Sequence, residues 1–589
     1  MNFPLLPTRW NLQDLLSEPV EQALEEKLFE LETLVTALEV DRDRLSDKIL
    51  EADFLEILDR YEDLHRISQL LGAYAYLCVS EDTQDQSALN RRDRIDRELV
   101  NADNRTLFFT LWFRELPDEI SNHLIQISGE LHYYLESLRR LKPYTLSEPE
   151  EKIINLKDVN GVDALTGIYD VLVNRFSFSL EVEGEMKTLT RDELAAYTRH
   201  PEADVRQAAY QELYRVFVDN STLLSQIYNH RVRDWHDEAL DLRGYRSPIS
   251  VRNLANDLPD EVVDTLLDVS RQNVGVLQRY FKLKAGWLGM EKLRRYDIYA
   301  PLVASDKTFA YPQAVDLILD SFYEFSPLIA DQARRLLQEK HLDSETRVGK
   351  RGGAFCYTIL PGTTPYVLVN FAGRARDVAT LAHELGHAIH SMQYFRSASF
   401  VHHAAMPLAE TASIFSEMLL TGRMIKEESD PAVRRDLLAY AIDDAYASIQ
   451  RQAYFTLFER QAHEMIDKGQ TISELCAAYQ RNLKEQFGEA LEMSDEFQWE
   501  WITVPHFVHT PFYTYAYAFG QLLVLALYQQ YRNEGAGFVP RYLRLLSYGG
   551  SESPSTILSE AGLDISRPEF WQGGFDVLES MIEELNQIQ

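Results

Sequence analysis

The stretch Ala382-His383-Glu384-Leu385-Gly386-His387 leaves this chain less conformational choice than any other. Two imidazoles four residues apart reach a common point on an α-helix, one turn above the other. On a strand they would stand roughly 13 Å apart. As a helix, Asp377–Met392 places Thr380, His383, Glu384, His387 and His390 on one side. Val378, Leu381, Leu385, Ala388, Ile389 and Met392 cover the other. Asp377 is expected at the N-cap, where its charge also suits the helix terminus. Gly386 costs about 1 kcal/mol against alanine inside a helix, so a close packing contact or a bound metal is expected there. A solvated helix carries Lys and Glu on its polar side, whereas this one carries three histidines. The pattern points to one zinc ion per chain on His383 and His387, with Glu384 beside them to handle a water.

Such a site needs a third protein ligand and an open fourth position. Met406-Pro-Leu-Ala-Glu410-Thr-Ala-Ser413 continues to Gly422 and reads as one helix, with Pro407 in its first turn and Gly422 at its end. Glu410, Ser413, Glu417 and Thr421 fall on one face, and Leu408, Ala412, Phe415 and Leu419 on the other. Glu410 is the expected ligand. Glu417, two turns on, is the expected partner of a zinc-bound histidine.

These residues resemble a known family. Gly349-Lys-Arg-Gly-Gly-Ala-Phe-Cys, Pro365-Tyr-Val-Leu-Val-Asn-Phe371, the HELGHAIHS run and Glu410-Thr-Ala-Ser413 are similar to oligoendopeptidase F, a branch of the thimet oligopeptidase-like zinc metallopeptidases. Further similarity runs from Arg9-Trp-Asn-Leu through Tyr296-Asp-Ile-Tyr-Ala-Pro301 to the tyrosines near 513. The resemblance implies a mainly α fold, a large helical two-lobed shell around a deep channel, with a small β element beside the zinc helix. It also implies cleavage of oligopeptides rather than folded proteins, and a His and Tyr from the 506–517 region as oxyanion donors.

Composition excludes other classes. The net charge of −33 argues against nucleic acid and anionic membrane as partners. Cys78, Cys356 and Cys476 are too few and too dispersed for a disulfide framework or a thiolate zinc site. Met1–Trp10 lacks the charged and apolar regions of a secretory signal, and the longest apolar stretches, such as Phe519–Tyr528, are too short to span a bilayer. A cytoplasmic protein is the expectation.

Helical periodicity dominates the chain. Residues 12–140 read as long amphipathic helices, Lys142–Lys152 as a turn and new helix start, and Phe176–Leu189 as a hairpin around a Glu-Gly turn. Helices resume near Arg191, and His200-Pro-Glu-Ala-Asp is another helix start. The expected division is an N-terminal helical lobe, 1–200, and a catalytic lobe, 201–589.

Two further stretches carry chemistry. Ala354–Ile359 and Tyr366–Asn370 read as strands joined by a Pro-Gly turn; the second leads into the zinc helix, where a strand can pair with an extended peptide or simply buttress the helix. Gly349-Lys-Arg-Gly-Gly lacks phosphate-loop spacing. Pro505–Gly520 carries aromatic residues at helical spacing, which serve as core or as donors to a developing oxyanion. His506, Tyr513 and Tyr517 are the candidates, with His509 and Tyr515 as alternates. His402 and His403 are read as loop residues rather than ligands.

The sequence thus indicates a zinc metalloendopeptidase acting on short unstructured oligopeptides, with Glu384 as general base and His383, His387 and Glu410 on the metal. A metallocarboxypeptidase on a similar helical shell and a non-catalytic zinc-stabilised peptide-binding protein are the alternatives.

Overall fold

Long helices with one apolar stripe account for most of this computed structural model, which describes residues 7–303, 308–394, 396 and 398–588. The start Met1–Leu6, part of the segment read above for a secretory signal, lies outside the described residues. Among the described residues no helix is long and apolar enough to cross a membrane. The expectation of a mainly α protein with a small β element is met.

The chain folds into two compact units, each assembled from three segments: Met1–Glu148, Lys307–Arg423 and Gln530–Gly562 form the first, and Pro149–Asp306, Met424–Gln529 and Leu563–Gln589 the second. This division differs from a split near residue 200. Hydrophobic pattern reads elements one at a time, and it does not show that a chain leaves a core and returns to it more than a hundred residues later.

In the first unit, the helices Val20–Asp41, Glu51–Glu81 and Gln86–Thr106 bear out the amphipathic reading. Their apolar stripes bury Leu24, Leu31, Phe54, Leu71 and Ile95 in one core, which Tyr366 and Leu368 of the sheet join. That sheet has three strands, Leu342–Asp343, Tyr366–Leu368 and Phe355–Tyr357, with Tyr366–Leu368 in the middle, parallel to the first and antiparallel to the last. The Gly349–Gly353 run braces it from below. Lys350 is buried, its Nζ 2.8 Å from Asp343 Oδ1, and donates to the carbonyls of Glu345 and Val369.

In the second unit, the expected hairpin forms from Phe178–Val182 and Glu185–Leu189 around Glu183-Gly184, both with positive φ. Thr190 and Glu193 form a capping box that starts the next helix, Arg191–Tyr197. The core gathers Tyr280, Tyr446, Phe458 and Trp501. Tyr296–Pro301 lies within it: Asp297 accepts from Arg206 and Arg294, both charges of the Arg206–Asp297 pair being buried.

Candidate metal centre

The motif helix spans Ala375–Gln393. Its apolar side, Val378, Leu381, Leu385, Ala388 and Ile389, is at most 2% exposed and packs into the first unit, which fixes the direction of the opposite side. Asp377 is not the N-cap. It sits in the first turn behind Arg374, and its Oδ2 accepts the backbone N–H groups of Ala372 and Arg374 at 2.9 and 3.0 Å. The N-cap amide and the amide of Ala372 just before the helix are thereby satisfied from inside the helix. Gly386 is a close approach: a Cβ there would lie 2.6 Å from the Ala412 carbonyl oxygen and 2.6 Å from Ser413 Cα. The missing side chain lets the motif helix touch the backbone that directly follows Glu410.

The second helix is not continuous. A short helix, Met406–Ala409, with Pro407 in its first turn, ends at Glu410, and a new one runs Thr411–Glu427, past the Gly422 stop expected from sequence. The break leaves Glu410 at the joint. Ser413 Oγ donates both to its backbone carbonyl, at 3.0 Å, and to its Oε2, at 2.7 Å, fixing the carboxylate against the chain.

His383, His387 and Glu410 converge there. The Nε2 atoms of both histidines lie 3.3 Å from Glu410 Oε2. A tetrahedral zinc centre with bonds of about 2.0–2.1 Å has ligand atoms about 3.3 Å apart, so the donor set fits that ion. It is the one cluster among the described residues that could hold a metal. On the far side of its ring, His383 Nδ1 donates to Glu417 Oε1, which orients the imidazole and leaves Nε2 for the metal. Burial opposes charge on Glu410, but its hydrogen bonds to His383 and His387 outweigh it and hold the carboxyl far below the usual range. For Glu384, 7% exposed, burial prevails over the nearby imidazoles and pushes the pKa up.

These groups open on a cavity of about 570 Å³ lined also by Gln69, His390, His402, His403 and the segment Ala354–Thr358. His402 and His403 border the cavity. Burial drives His390 and His402 down to about 4, so both stay neutral.

The strand beside the candidate metal site is not the one the sequence suggested. Tyr366–Leu368 is paired on both sides, and Val367 N–H donates to the His341 carbonyl across the sheet. The edge strand is Phe355–Tyr357. Because Val367 and Val369 bond away from it, Tyr366 and Leu368 bond towards it, opposite Tyr357 and Phe355. The amide and carbonyl of Cys356 therefore face the open edge, along the wall of the cavity that holds Glu384. The edge follows from pairing between segments far apart in sequence, and no local signal could have supplied it.

Within the second unit, His506, Tyr513 and Tyr517 come together. His506 Nε2 is 3.2 Å from the Tyr517 hydroxyl, its ring stacks on Tyr513 at 5.6 Å, and Tyr513 meets Tyr517 edge-on at 5.1 Å. All three are half-buried. Burial, then the charges of His509 and Arg451, push the His506 pKa down. The alternates are otherwise engaged: Tyr515 is fully buried and accepts from Asn256 at 2.9 Å, and His509 bonds Asp170 at 2.7 Å. Tyr513 precedes the helix Tyr515–Glu534 instead of belonging to it, so its neighbourhood with Tyr517 comes from a turn and not from helical spacing.

The profile of peptidase family M3 matches residues 196–577, and that of an oligopeptidase F domain matches 113–178. Oligopeptidase PepF of Bacillus subtilis is 25% identical over 98% of this chain and 87% of its own length. An oligoendopeptidase F homolog of Borreliella burgdorferi is 26% identical over 91% of each chain. In fold, the chain is similar to a crystal structure described as a putative peptidase from Chlamydophila abortus, with a TM-score of 0.87 and 24% identity over 99% of this chain and 98% of that one. It is also similar to oligoendopeptidase F from Enterococcus faecium, with a TM-score of 0.72 and 22% identity over 96% of this chain and 99% of that one.

Proposed function

Since the chain belongs to peptidase family M3, in its oligoendopeptidase F branch, we propose that it is a zinc metalloendopeptidase that hydrolyses peptide bonds in short, unstructured oligopeptides. The observation that carries the reading is the convergence of His383, His387 and Glu410 with the buried Glu384 beside them. A structural zinc site closes itself with four protein ligands, whereas this cluster offers three and a carboxyl that is none of them.

Zinc bound there supplies Lewis-acid polarisation of the scissile carbonyl and brings the pKa of a water towards neutrality. Glu384 takes the proton of the attacking water and returns it to the leaving amine. Its raised pKa brings it closer to the range in which a carboxyl can do both. His506, Tyr513 and Tyr517 are proposed as donors to the developing oxyanion, supported by their mutual contact and by the engagement of the alternates elsewhere. The substrate backbone is proposed to pair with the free edge at Cys356, a contact that ignores side-chain identity and demands an unfolded chain. A cytoplasmic location is part of the proposal, supported by the acidic composition and three free cysteines.

The test compares the zinc-loaded protein on four substrates: a short peptide blocked at both termini, its unblocked form, the same sequence inside a rigid folded domain, and that domain denatured but soluble. Cleavage of the blocked peptide at an internal bond with none of the folded domain is expected. Cleavage of the unblocked form alone would point to a carboxypeptidase, and no cleavage of any would leave a binding protein.

A further inference from the structure

The run Pro511–Ala516 is clamped from both sides, and only Tyr513 in it escapes burial. Phe512 has φ +57°, in the left-handed region that a bulky side chain adopts only when its surroundings compel it. The compulsion comes from two helices of the same unit. From Pro248–Ala255, Arg252 Nε donates to the Pro511 carbonyl at 3.1 Å. From Arg451–Asp467, Thr456 Oγ1 lies 2.8 Å from Thr514 Oγ1, the His463 ring packs 4.5 Å from that of Phe512, and the Glu459 carboxyl faces the Phe512 amide. Glu459 is 0% exposed, and neither of its oxygens has a partner of full hydrogen-bond geometry among the described residues. An acidic side chain buried in this way invites a functional explanation, since an apolar residue of the same volume would fill the space without the cost of burying a polar group.

We infer that Glu459, with Thr456, is a positioning residue: it holds the strained turn at Phe512 so that Tyr513 projects towards His506 and Tyr517. The inference rests on the proposed role of Tyr513 as an oxyanion donor. Strain at Phe512 is what directs consecutive side chains apart, sending Phe512 and Tyr515 inward and Tyr513 outward. Burial keeps the Glu459 carboxyl protonated at neutral pH, so a glutamine can stand in for it in shape and hydrogen bonding, and a leucine cannot.

The test is a double-mutant cycle on the zinc-loaded full chain, reading kcat and KM on the blocked peptide, with metal content and thermal unfolding as controls. Glu459→Leu is expected to lower kcat by about tenfold or more with little change in KM, and Glu459→Gln to stay within about threefold of the parent. In a Tyr513→Phe background, Glu459→Leu is expected to cost less than about twofold, because the group it positions is already gone. If Tyr513→Phe alone leaves kcat intact, the donor reading falls and the inference with it. If Tyr513→Phe is slow but Glu459→Leu costs the same factor in both backgrounds, the donor reading stands and the positioning role alone is overturned. Should Glu459→Leu fail to fold, Thr456→Val carries the same cycle, with coupling to Tyr513→Phe supporting the role and additivity overturning it.

Discussion

Each unit contains a cluster of titratable side chains, half-buried in the first and fully buried in the second, and the two are built on opposite principles. At the candidate metal centre of the first, charge is matched: His383 lies between Glu410 and Glu417, and Glu410 between His383, His387 and Ser413. In the second, Glu459 and His463 stand 4.0 Å apart, with both carboxyl oxygens and both ring nitrogens lacking full partners among the described residues. Both clusters have displaced pKa values, with Glu410 lowered by its hydrogen bonds to the two histidines against burial, and Glu459 and His463 displaced by desolvation. What separates them is convergence. Three ligand atoms meet at one point in the first unit, and the second cluster faces a backbone turn. A displaced pKa marks a place where the fold has done something unusual, and geometry says what.

The largest effects should come from the matched cluster. His383→Ala or His387→Ala is expected to abolish both bound zinc and activity, while His463→Ala leaves zinc content unchanged; elemental analysis of the purified variants reads both. Full zinc in either of the first two would sink the ligand assignment. Glu410→Ala should match them, and Glu417→Ala should be milder, at about 10–100-fold, since it orients a ligand without being one. Next in size is Glu384→Gln, which keeps shape and metal but removes the proton acceptor, and should lower kcat at least about 10²-fold. Glu459→Gln, the same chemical change in the other cluster, should cost about threefold at most. Equal losses from the two glutamines would erase the distinction drawn between them.

How much of this was legible in the sequence follows from range. His383, Glu384 and His387 are fixed by a spacing of four residues within one helix, and Gly386 was conspicuous as a helix breaker in a helix that has to form. Glu410 was legible as an acid on the next amphipathic segment, but the joint that aims it was not, because Pro407 and Gly422 read equally well as the ends of one helix. The open edge at Cys356 depends on Leu342–Asp343 pairing with Val367–Leu368, which no local pattern records. Glu459 and His463, at i and i+4, look like the polar side of an ordinary helix. The turn at Phe512, with Tyr228 and His236 packed against His463, turns that side into an interior.

Glu459 and the two cavity histidines His390 and His402 should respond to pH with opposite sign. Burial holds the Glu459 carboxyl at about 8, above its unfolded value near 4.5, so the folded form binds the extra proton. Its stability is greatest below about 4.5 and is lost as pH rises towards 8. His390 and His402 are held at about 4, below their unfolded values near 6.5, so the unfolded chain binds the extra protons and stability is lost as pH falls from 6.5 to 4. Each pKa unit corresponds to about 1.4 kcal/mol, which makes either limb worth a few kcal/mol. Denaturant unfolding from pH 4 to 9, with hydrogen exchange to assign transitions to each unit, should show an alkaline limb in the second unit from Glu459 and an acid limb in both units, from His390 and His402 in the first and from the buried His463 in the second. Glu459→Gln should flatten the alkaline limb alone. An unchanged alkaline limb in that variant would mean that Glu459 ionises freely in the folded protein.

The smallest changes in rate are expected at the two residues that share the aromatic segment without sharing its contacts. Tyr515→Phe removes a buried acceptor and leaves the Asn256 amide unpaired, which should cost about 1–3 kcal/mol of stability. Its hydroxyl is turned into the interior, so kcat should stay within a few-fold. His509→Ala breaks a partly exposed pair with Asp170 worth at most about 1 kcal/mol, and should change kcat little. Tyr513→Phe is the opposite case: a half-buried hydroxyl whose loss should barely move the unfolding midpoint while lowering kcat by about 10²–10³, the scale of one oxyanion donor. Thermal unfolding and steady-state kinetics on the same three proteins therefore give a crossed result, stability falling where rate holds and rate falling where stability holds. If Tyr515→Phe proves the slow enzyme, the oxyanion donor has been placed on the wrong tyrosine, and the turn at Phe512 serves packing instead of presenting Tyr513.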